Sequence, residues 1–522
     1  MSGRFLFVSN SKVSKEVFMS ALNKMGYGEP CVPACYSEYG TVKLGYNPLH
    51  FDDCDSGNNK PLVSQDGRYA IIYNGKVYNY RELACDHNIK ICAHSDMHVV
   101  LELSVKIGFE RTLNLLNGMF AYVIYDTFNG EYFAARDRLG IKPLYIYKNF
   151  DGIAFSSEIN GIIRLLDGKV DIHPVSVRQY KRLRGCFHGK TIYKGIDMLP
   201  AGCFIEHGKI TKWWKLPSGE QAPPTDEELY SLIESTINYC MIDSGESTGV
   251  LLSGGLDSTI VAAMIGKEHC GTLHTWISGF YDMKNEYSYG RIAAEAVGSC
   301  HHETGIYKKD FLSKLKSIIA IIKEPLSFQG GVPTLDMYSE VKKHNPAVLC
   351  ALGADELFFG YDRIFRWAES QTKFDVKSFS ENYSHGATDN DIEIVELILE
   401  PFYEYGPKPI DIVSAFLQTS KLEVNFRPFD TFSAMCSVET RMPLSDHRLV
   451  ERLFAVPFDW KMKDGIVKAP LKRVFSHLVP KVINDRPKLG FSEGISLADL
   501  LDVPRDKAFD AWTDTNLSLL ET

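Results

Sequence analysis

One short stretch, GVLLSGGLDST at residues 249–259, constrains the fold of this chain more than any other. An apolar run ends in Ser-Gly-Gly, and an apolar helical pattern starts at Ile260. A strand that passes through a turn of small residues into a helix is typical of an anion site, because glycines let backbone N–H groups approach phosphate oxygens and the helix dipole favours negative charge. The stretch therefore predicts a phosphate site, to which Ser253 and Ser258 add hydroxyl donors. A plain turn with a capping serine is the alternative.

The same turn carries an acid. A bare carboxylate at Asp257 would repel phosphate, and a Mg²⁺ ion that bridges Asp257 to the phosphates removes the conflict. Two more acids follow the strand-like run PAVLCAL, in LGADELFFGYDR, and Asp355 is the natural second ligand; a capping Asp-Glu at a helix start is the alternative. No lysine precedes the Ser/Thr, so this is not a Walker loop. It resembles the pyrophosphate loop of the ATP pyrophosphatases, which implies ATP and Mg²⁺ as cofactors.

Composition and charge exclude several classes of protein. The 522 residues are 45% hydrophobic and 24% charged, with a net charge of −9, which is no electrostatic reason to expect a nucleic-acid partner. No apolar run reaches the length of about 18 residues that a membrane span requires. The twelve cysteines are scattered, and Cys300 beside His301-His302 has no second half at zinc-ligand spacing. We therefore expect reduced thiols in a cytoplasmic protein without a zinc site.

The first 215 residues or so read as short strands separated by turns, with at least one helix. Strand patterns cover 69–78, 119–136 (a hairpin around Asn129-Gly130) and 151–158, and a helical pattern covers 96–108. Strands and helices without strict alternation predict an α+β layered domain.

A linker and an alternating region follow. PSGEQAPPT at 217–225 has three prolines and no periodicity, and Thr225 with Glu228 predicts a helix start in which each residue caps the other. Beyond it, strand-like runs at 249–252, 273–280 and 347–352 alternate with helical patterns. This alternation predicts βαβ units and a parallel sheet.

Motifs in both halves resemble the asparagine synthetases and the related β-lactam synthetases. SGGLDS, GADELFFGYDR and SVETRMPLSDHRLVE resemble their synthetase domain; YNGKVYNYREL, HSDMHVVLEL, GMFAYVIYD and RDRLGIKPLY resemble their glutamine amidotransferase domain. The resemblance implies an α+β Ntn-type αββα sandwich over residues 1–216, a linker at 217–225, and an α/β doubly wound parallel-sheet ATP pyrophosphatase domain (adenine nucleotide α-hydrolase-like) over 226–522. It also implies small-molecule carboxylate and amine substrates, and a homodimer.

The amidotransferase half departs from the pattern that it resembles. Family members open with Met-Cys-Gly, and the cysteine attacks glutamine, whereas this chain carries Ser2, a far weaker nucleophile unless a base activates it. Pro48 stands where the family has the arginine that grips the glutamine carboxylate, and Lys76 stands where it has the acid for the ammonium. The other members of this vestigial glutaminase site are Asn74, Gly75 and Asp96. We therefore expect that glutamine hydrolysis is lost.

The synthetase half keeps the parts that serve ATP and loses one acceptor group. Asparagine synthetases have glutamate, and β-lactam synthetases tyrosine, where this chain has Leu352, which cannot accept a proton. Lys468 in GIVKAPLKR lies where the family has a lysine that neutralises charge on pyrophosphate and on the acyl transition state; an ordinary solvated lysine is the alternative. The predicted ATP and pyrophosphate residues are Leu252, Ser253, Gly254, Gly255, Asp257, Ser258, Gly353 and Lys468. The predicted catalytic residues are Asp257 and Lys468, the metal ligands Asp257 and Asp355, and the substrate pocket Glu286, Leu352 and Glu356.

These residues predict an ATP-dependent, AMP-forming amide ligase. A substrate carboxylate is adenylated with release of pyrophosphate, and an amine that does not come from glutamine then attacks, either within the substrate or from a second molecule. An asparagine synthetase that uses free ammonia, or that carries an inactivating Cys-to-Ser change, is a second hypothesis. A nucleotide-binding pseudoenzyme is a third. The loss of the acceptor glutamate counts against the second, and the intact phosphate set counts against the third.

Overall fold

The computed structural model describes residues 3–25, 34–48, 60–91, 95–149, 151–243, 248–268, 271–383, 391–486 and 496–521. Contacts divide the chain into two compact units. The first is Met1–Ser176, His188–Lys215 and Ile321–Glu324, and the second is Val177–Phe187, Leu216–Ala320 and Pro325–Thr522. Residues 177–187 belong to the second unit although the residues on both sides of them belong to the first. Residues 321–324 belong to the first unit although the residues on both sides of them belong to the second.

Strands dominate the described part of residues 3–215. The strands are β1 (Gly3–Asn10), β2 (Cys35–Tyr39), β3 (Val42–Pro48), β4 (Leu62–Val63), β5 (Tyr69–Val77), β6 (Gly118–Asp126), β7 (Tyr132–Arg136), β8 (Tyr145–Asn149), β9 (Gly152–Ser156), β10 (Ile196–Met198), β11 (Cys203–Glu206) and β12 (Lys209–Lys212). The helices are α1 (Lys15–Asn23), α2 (Tyr80–Asp86), α3 (Asp96–Ile107), α4 (Phe109–Leu115), α5 (Ile159–Leu165) and α6 (Pro174–Leu183). The predicted hairpin is β6–β7, and the predicted helix is α3.

Two antiparallel six-stranded sheets form the first unit. Their strand orders are β10-β8-β9-β1-β3-β2 and β12-β11-β7-β6-β5-β4. Alternate residues of both sheets point into one buried core, which contains Phe7 and Phe155 from the first sheet and Ile72 and Val123 from the second. Helices α1 and α5 pack on the first sheet and α3 packs on the second, so the layers are helix, sheet, sheet, helix.

The second unit is built mainly from helices around one parallel sheet. Its strands are β13 (Thr248–Leu251), β14 (Leu273–Phe280), β15 (Cys300–Ile306), β16 (Ala347–Leu349) and β17 (Glu439–Arg441). Its helices are α7 (Asp226–Met241), α8 (Leu256–Glu268), α9 (Tyr287–Val297), α10 (Phe311–Ile322), α11 (Gly331–Val341), α12 (Ala354–Leu357), α13 (Asp362–Ser370), α14 (Val376–Tyr383), α15 (Ile392–Leu399), α16 (Pro409–Phe416), α17 (Leu422–Met435), α18 (His447–Leu453), α19 (Phe458–Lys461), α20 (Ala469–Val474), α21 (Lys481–Asn484), α22 (Leu497–Leu501) and α23 (Ala508–Leu520).

The parallel sheet is doubly wound. Its order is β15-β14-β13-β16-β17, so the chain builds outward from β13 first in one direction and then in the other. Helices cover both faces: Ser278 Oγ donates to Pro333 O of α11, while Ile277, on the opposite side of β14, packs against Gly290 of α9. The strand order reverses between β13 and β16, and ligands of such sheets bind in the crevice beyond the carboxyl ends at that point.

The predicted helix start at residue 225 has both halves of a capping box. Thr225 Oγ1 accepts the Glu228 N–H at 3.1 Å, as expected of the N-cap of α7. Arg452 binds the Glu228 carboxylate at 3.0 Å and lowers its pKa, and a hydrogen bond from the Thr225 backbone lowers it further. The predicted capping box is therefore present, and an ion pair adds to it. Within the described ranges, no helix has the length and apolarity needed to cross a bilayer.

Candidate active site

The glycine turn follows β13 and leads directly into α8. Leu252 is fully buried and donates its N–H to Trp276 O at 2.7 Å, which fixes the end of the strand. Gly254 has a φ of +71°, and a Cβ at this position would collide with the backbone of Tyr289. Only glycine meets both conditions without strain.

Hydroxyl groups surround the start of α8. Ser253 Oγ accepts the Gly255 N–H at 3.3 Å and lies 3.2 Å from Ser258 Oγ. Ser258 is in the first turn of the helix, where the backbone N–H groups have no helical acceptor. Hydroxyl and amide donors thus converge where the sequence predicts phosphate.

The loop after β16 is built like the glycine turn, from a strand, a glycine with a positive φ and the start of a helix. Gly353 has a φ of +104°, and a Cβ at this position would collide with Ser445 Oγ. Ser445 Oγ donates to Leu352 O at 2.8 Å and holds the loop against the chain that follows β17. Helix α12 begins at the next residue and carries Asp355 in its first turn.

Lys468 joins the two loops. Its Nζ lies 2.5 Å from Asp257 Oδ2 and 2.5 Å from Asp355 Oδ1, and only 4% of its side chain is exposed. Burial lowers the pKa of an ammonium, but the two carboxylates outweigh it, so the pKa of Lys468 is raised above its ordinary value. Gly360 makes room for the contact, because a Cβ there would collide with Asp355 Oδ1 and lie 2.5 Å from Lys468 Cε. These three charged residues, called here the charge triad, come from positions about 100 residues apart in sequence.

The two carboxylates of the triad offer ligand atoms that suit magnesium. Asp257 Oδ1 is buried and has no hydrogen-bond partner among the described residues, so one carboxylate oxygen remains available beside the glycine turn. Carboxylate oxygens are hard ligands of the kind that Mg²⁺ takes together with substrate phosphates. Asp257 and Asp355 would hold the ion, which would neutralise phosphate charge.

Comparison with models of known protein families shows which family this chain belongs to. Residues 228–519, more than half of the chain, match the asparagine synthase family model, and residues 1–214 match a glutamine amidotransferase domain model. The chain belongs to the asparagine synthase family. With the two antiparallel sheets and the doubly wound parallel sheet, these matches confirm the predicted fold class of both halves.

Several relatives are glutamine-hydrolyzing asparagine synthetases by name. A Mycobacterium tuberculosis protein assigned to that activity is 30% identical over 361 residues, which are 64% of this chain and 54% of that protein. Asparagine synthetase 3 of Bacillus subtilis is 27% identical over 496 residues, 86% of this chain and 79% of that protein. The chain thus spans about half the length of the first of these relatives. A solved glutamine phosphoribosylpyrophosphate amidotransferase from B. subtilis has a TM-score of only 0.28 at 16% identity, over 58% of this chain and 65% of that one, and adds nothing to the assignment.

Arg486 is part of this site, and no sequence motif predicted it. Its guanidinium binds the Glu286 carboxylate, donates to Gly254 O at 3.2 Å and lies 3.9 Å from the centre of the Tyr289 ring. Glu286, predicted to line the substrate pocket, is therefore paired with a cation beside the glycine turn. The only signal in the sequence is a basic residue in NDRPK, 200 positions beyond Glu286.

The predicted substrate residue Glu356 is fully buried. Its Oε1 accepts from Tyr361 Oη at 2.8 Å and from Asn425 Nδ2 at 3.2 Å. Nearby, burial and the charge of Arg184 lower the pKa of Lys421 to about 7. Leu352, predicted to replace an acceptor glutamate, is half-buried in the turn that follows β16, and its side chain has no proton acceptor.

In the amidotransferase half, the predicted oxyanion-hole residues lie within strand β5. Asn74 is buried, and Gly75 has a φ of +150° at a place where a Cβ would collide with Met119 O. Ser2 lies outside the described residues. Pro48, predicted to replace the family's arginine, is the last residue of β3.

Asp96 and Lys76 are also buried near this strand. Asp96 accepts from Tyr73 Oη and from the Val77 N–H, both at 2.8 Å. Burial opposes its charged form, but neighbouring positive charges, that of Lys76 among them, lower the pKa of Asp96 to about 2. Lys76 Nζ lies 5.2 Å from the centre of the Tyr80 ring. A buried lysine therefore lies at the position where the resemblance predicts an acid.

Proposed function

We propose that this chain is an ATP-dependent, AMP-forming amide ligase whose amine does not come from glutamine. The observation that carries the proposal is the charge triad, in which Lys468 bridges Asp257 and Asp355 at the topological switch point of a doubly wound sheet. Family membership supports adenylation chemistry at this place. The individual roles of the residues are our assignment.

The first step is transfer of AMP to a substrate carboxylate. A carboxylate oxygen attacks the α-phosphorus of ATP, the bond from the α-phosphorus to the bridging oxygen breaks, and pyrophosphate leaves. The glycine turn donates N–H and hydroxyl groups to the departing pyrophosphate. Lys468 contributes a positive charge that is fixed before the reaction, which stabilises the charge that develops in the transition state. Mg²⁺ held by Asp257 and Asp355 would add to this neutralisation.

The second step is attack of an amine on the acyl carbon. The C–N bond forms, AMP leaves with the electron pair of the acyl–oxygen bond, and the amine loses one proton. Leu352 cannot take that proton, so it passes to water, to the substrate or to another group. Glu286 and Glu356 are the proposed acidic residues of the acceptor pocket, and Arg486 orients the first of them.

The amidotransferase half supports an amine source other than glutamine. Glutamine would bring its ammonium towards buried Lys76, and like charges at close range in a buried site repel. The serine at position 2 and the proline at position 48 remove a thiol nucleophile and a guanidinium clamp. The amidotransferase half thus differs from the pattern of glutamine-hydrolysing relatives at three positions of the predicted glutamine site.

Pyrophosphate release tests the proposal. The full chain is incubated with ATP, Mg²⁺ and a panel of carboxylates that either contain an internal amine or are supplied with one, each with and without glutamine or ammonia. We expect release that depends on the carboxylate and is indifferent to glutamine. Glutamine-dependent release would refute the proposed amine source. Release with aspartate and ammonia alone would favour an asparagine synthetase, and tight ATP binding without release under any condition would favour a pseudoenzyme.

A further inference from the structure

A second cluster of chemically reactive side chains lies at the amino end of the parallel sheet. Successive residues of a strand face opposite sides, so Cys300 and His302 of β15 share one face. The parallel register places His274 of β14 beside Cys300 and Trp276 beside His302. The pairing therefore brings two imidazoles and a thiol together, although the sequence showed only a cysteine next to two histidines.

Helix α11 covers the same face and ends beside the cluster. His344 follows the end of α11, and its ring centre lies 4.5 Å from that of His302 and 4.9 Å from that of His274. Glu340 is one turn earlier and approaches His344 at 3.6 Å, but Lys343 also binds its carboxylate, at 2.5 Å. His344 is thus a nearby fourth ligand and the third imidazole, while Glu340 already has a cationic partner.

The spacing of the donor atoms matches a metal site. His274 Nδ1 and His302 Nε2 are 3.0 Å apart, and the donor atoms of His274, Cys300 and His302 all lie within 4.8 Å of one another. Ligands of a tetrahedral zinc ion, with metal–ligand bonds of about 2.0–2.3 Å, are about 3.5 Å apart. Small rotations of the side chains would close the difference. Cys300 is exposed, so an ion could reach the site from solution.

We propose that His274, Cys300 and His302 bind a transition-metal ion of the zinc class, with His344 as the nearest additional ligand. Imidazole and thiolate select such ions over Mg²⁺, which takes oxygen ligands. The site is separate from the charge triad, because it lies at the amino ends of β14 and β15 and the glycine turn follows the carboxyl end of β13. In the register of the sheet, His274 and Cys300 lie level with Gly249, near the start of β13, whereas the glycine turn begins after the last residue of that strand. On binding, the Cys300 thiol releases its proton to solvent.

Cobalt titration of the untagged, full-length chain tests this proposal. After chelator treatment and dialysis, we expect one equivalent of Co²⁺ to produce the ligand-field bands of a tetrahedral ion and a thiolate-to-cobalt charge-transfer band, and Zn²⁺ to displace them. Cys300→Ser should remove the charge-transfer band and weaken binding by about tenfold or more. His302→Ala, which removes the central nitrogen ligand, should abolish both sets of bands.

His301→Ala is the matched control. His301 is the neighbouring residue of the same type, but it faces the opposite side of the sheet, where it lies near Gly290 of α9 and 2.9 Å from Thr275 Oγ1. Its removal should leave the cobalt spectrum unchanged. Circular dichroism and thermal unfolding of the metal-free variants separate a lost ligand from a lost fold. Equal binding by His302→Ala and wild type, or a spectrum without a contribution from Cys300, would overturn the proposal.

Discussion

Replacing Lys468 by methionine is the most direct test of the charge triad. Methionine fills a similar volume, so the substitution removes the charge and leaves the packing nearly intact. It leaves Asp257 and Asp355 facing each other at the switch point without the cation that now lies between them. We expect the substitution to lower both the free energy of unfolding and the rate of pyrophosphate release.

The stability effect can be estimated from the distances. At 2.5 Å and an effective dielectric constant of about 20, each ion pair has a gross Coulomb energy of about 7 kcal/mol. The desolvation of the buried ammonium cancels much of this energy. Removing one partner of a buried pair costs about 3–5 kcal/mol because the remaining charge is uncompensated. The two carboxylates are 15% and 20% exposed, so water and protons relieve part of the repulsion, and we expect about 3 kcal/mol.

The effect on the reaction should be larger than the effect on stability. Loss of one preorganised charge at the developing anion lowers the rate by about 10²–10³-fold. Pyrophosphate release is measured at saturating ATP, and thermal unfolding is followed in parallel, where about 3 kcal/mol corresponds to a fall in Tm of roughly 6–12 °C. Lys481→Met, at an exposed lysine in α21, is the control and should change neither quantity.

The two measurements also show how this reasoning could fail. A Lys468→Met variant with wild-type pyrophosphate release would show that the lysine only stabilises the fold. Unchanged Tm would show that the contacts with the two carboxylates contribute no net stability.

Three further predictions concern single side chains. Asp257→Asn should abolish pyrophosphate release and Ser2→Ala should leave it unchanged; equal losses in this assay would contradict our division of labour between the two halves. Gly360→Ala should lower release at least tenfold and cost about 1–3 kcal/mol in urea unfolding, since its Cβ would displace Asp355; an active, equally stable variant would refute the contact. Lys421→Met should stabilise the chain. Burial lowers the pKa of Lys421 to about 7, so between that value and the ordinary 10.5 the unfolded state holds a proton that the folded state lacks, and wild-type stability rises with pH across this window. The gain should fall from about 4 kcal/mol at pH 7 to about 2 kcal/mol at pH 9; a gain independent of pH would mean that the lysine keeps its proton in the fold.

The sequence was sufficient for features that depend on local pattern. Strand β14 spans the predicted residues 273–280, and α3 ends one residue before the predicted end. The glycine turn could be predicted because its chemistry, strand, turn and helix N-terminus are contiguous. Asp355 was predicted from the same pattern after β16, which lies next to β13 in the sheet.

Features that depend on distant pairing could not be predicted. Arg486 meets Glu286 across 200 residues, and nothing in either neighbourhood marks the pair. The imidazole cluster depends on the register of β14 against β15, which sets which residue lies beside Cys300. The ion pair between Glu228 and Arg452 joins residues 224 positions apart, whereas the capping bond of Glu228 to the Thr225 backbone is local and was predicted.

The two sites differ in what the fold alone explains. Gly75 is required by the close approach of Met119 O, and Asp96 satisfies a buried N–H and a buried hydroxyl, so both residues have a structural purpose whether or not glutamine is hydrolysed. Their presence is therefore no evidence of glutaminase activity. The charge triad has no such explanation, because apolar residues of similar volume usually stabilise a fold as well as a buried ion pair does. A buried lysine between two carboxylates beside a glycine turn does not stabilise the fold more than apolar residues would, whereas it can bind a charged ligand. Because the charge triad has no structural explanation and Gly75 and Asp96 have one, we place the chemistry in the synthetase half.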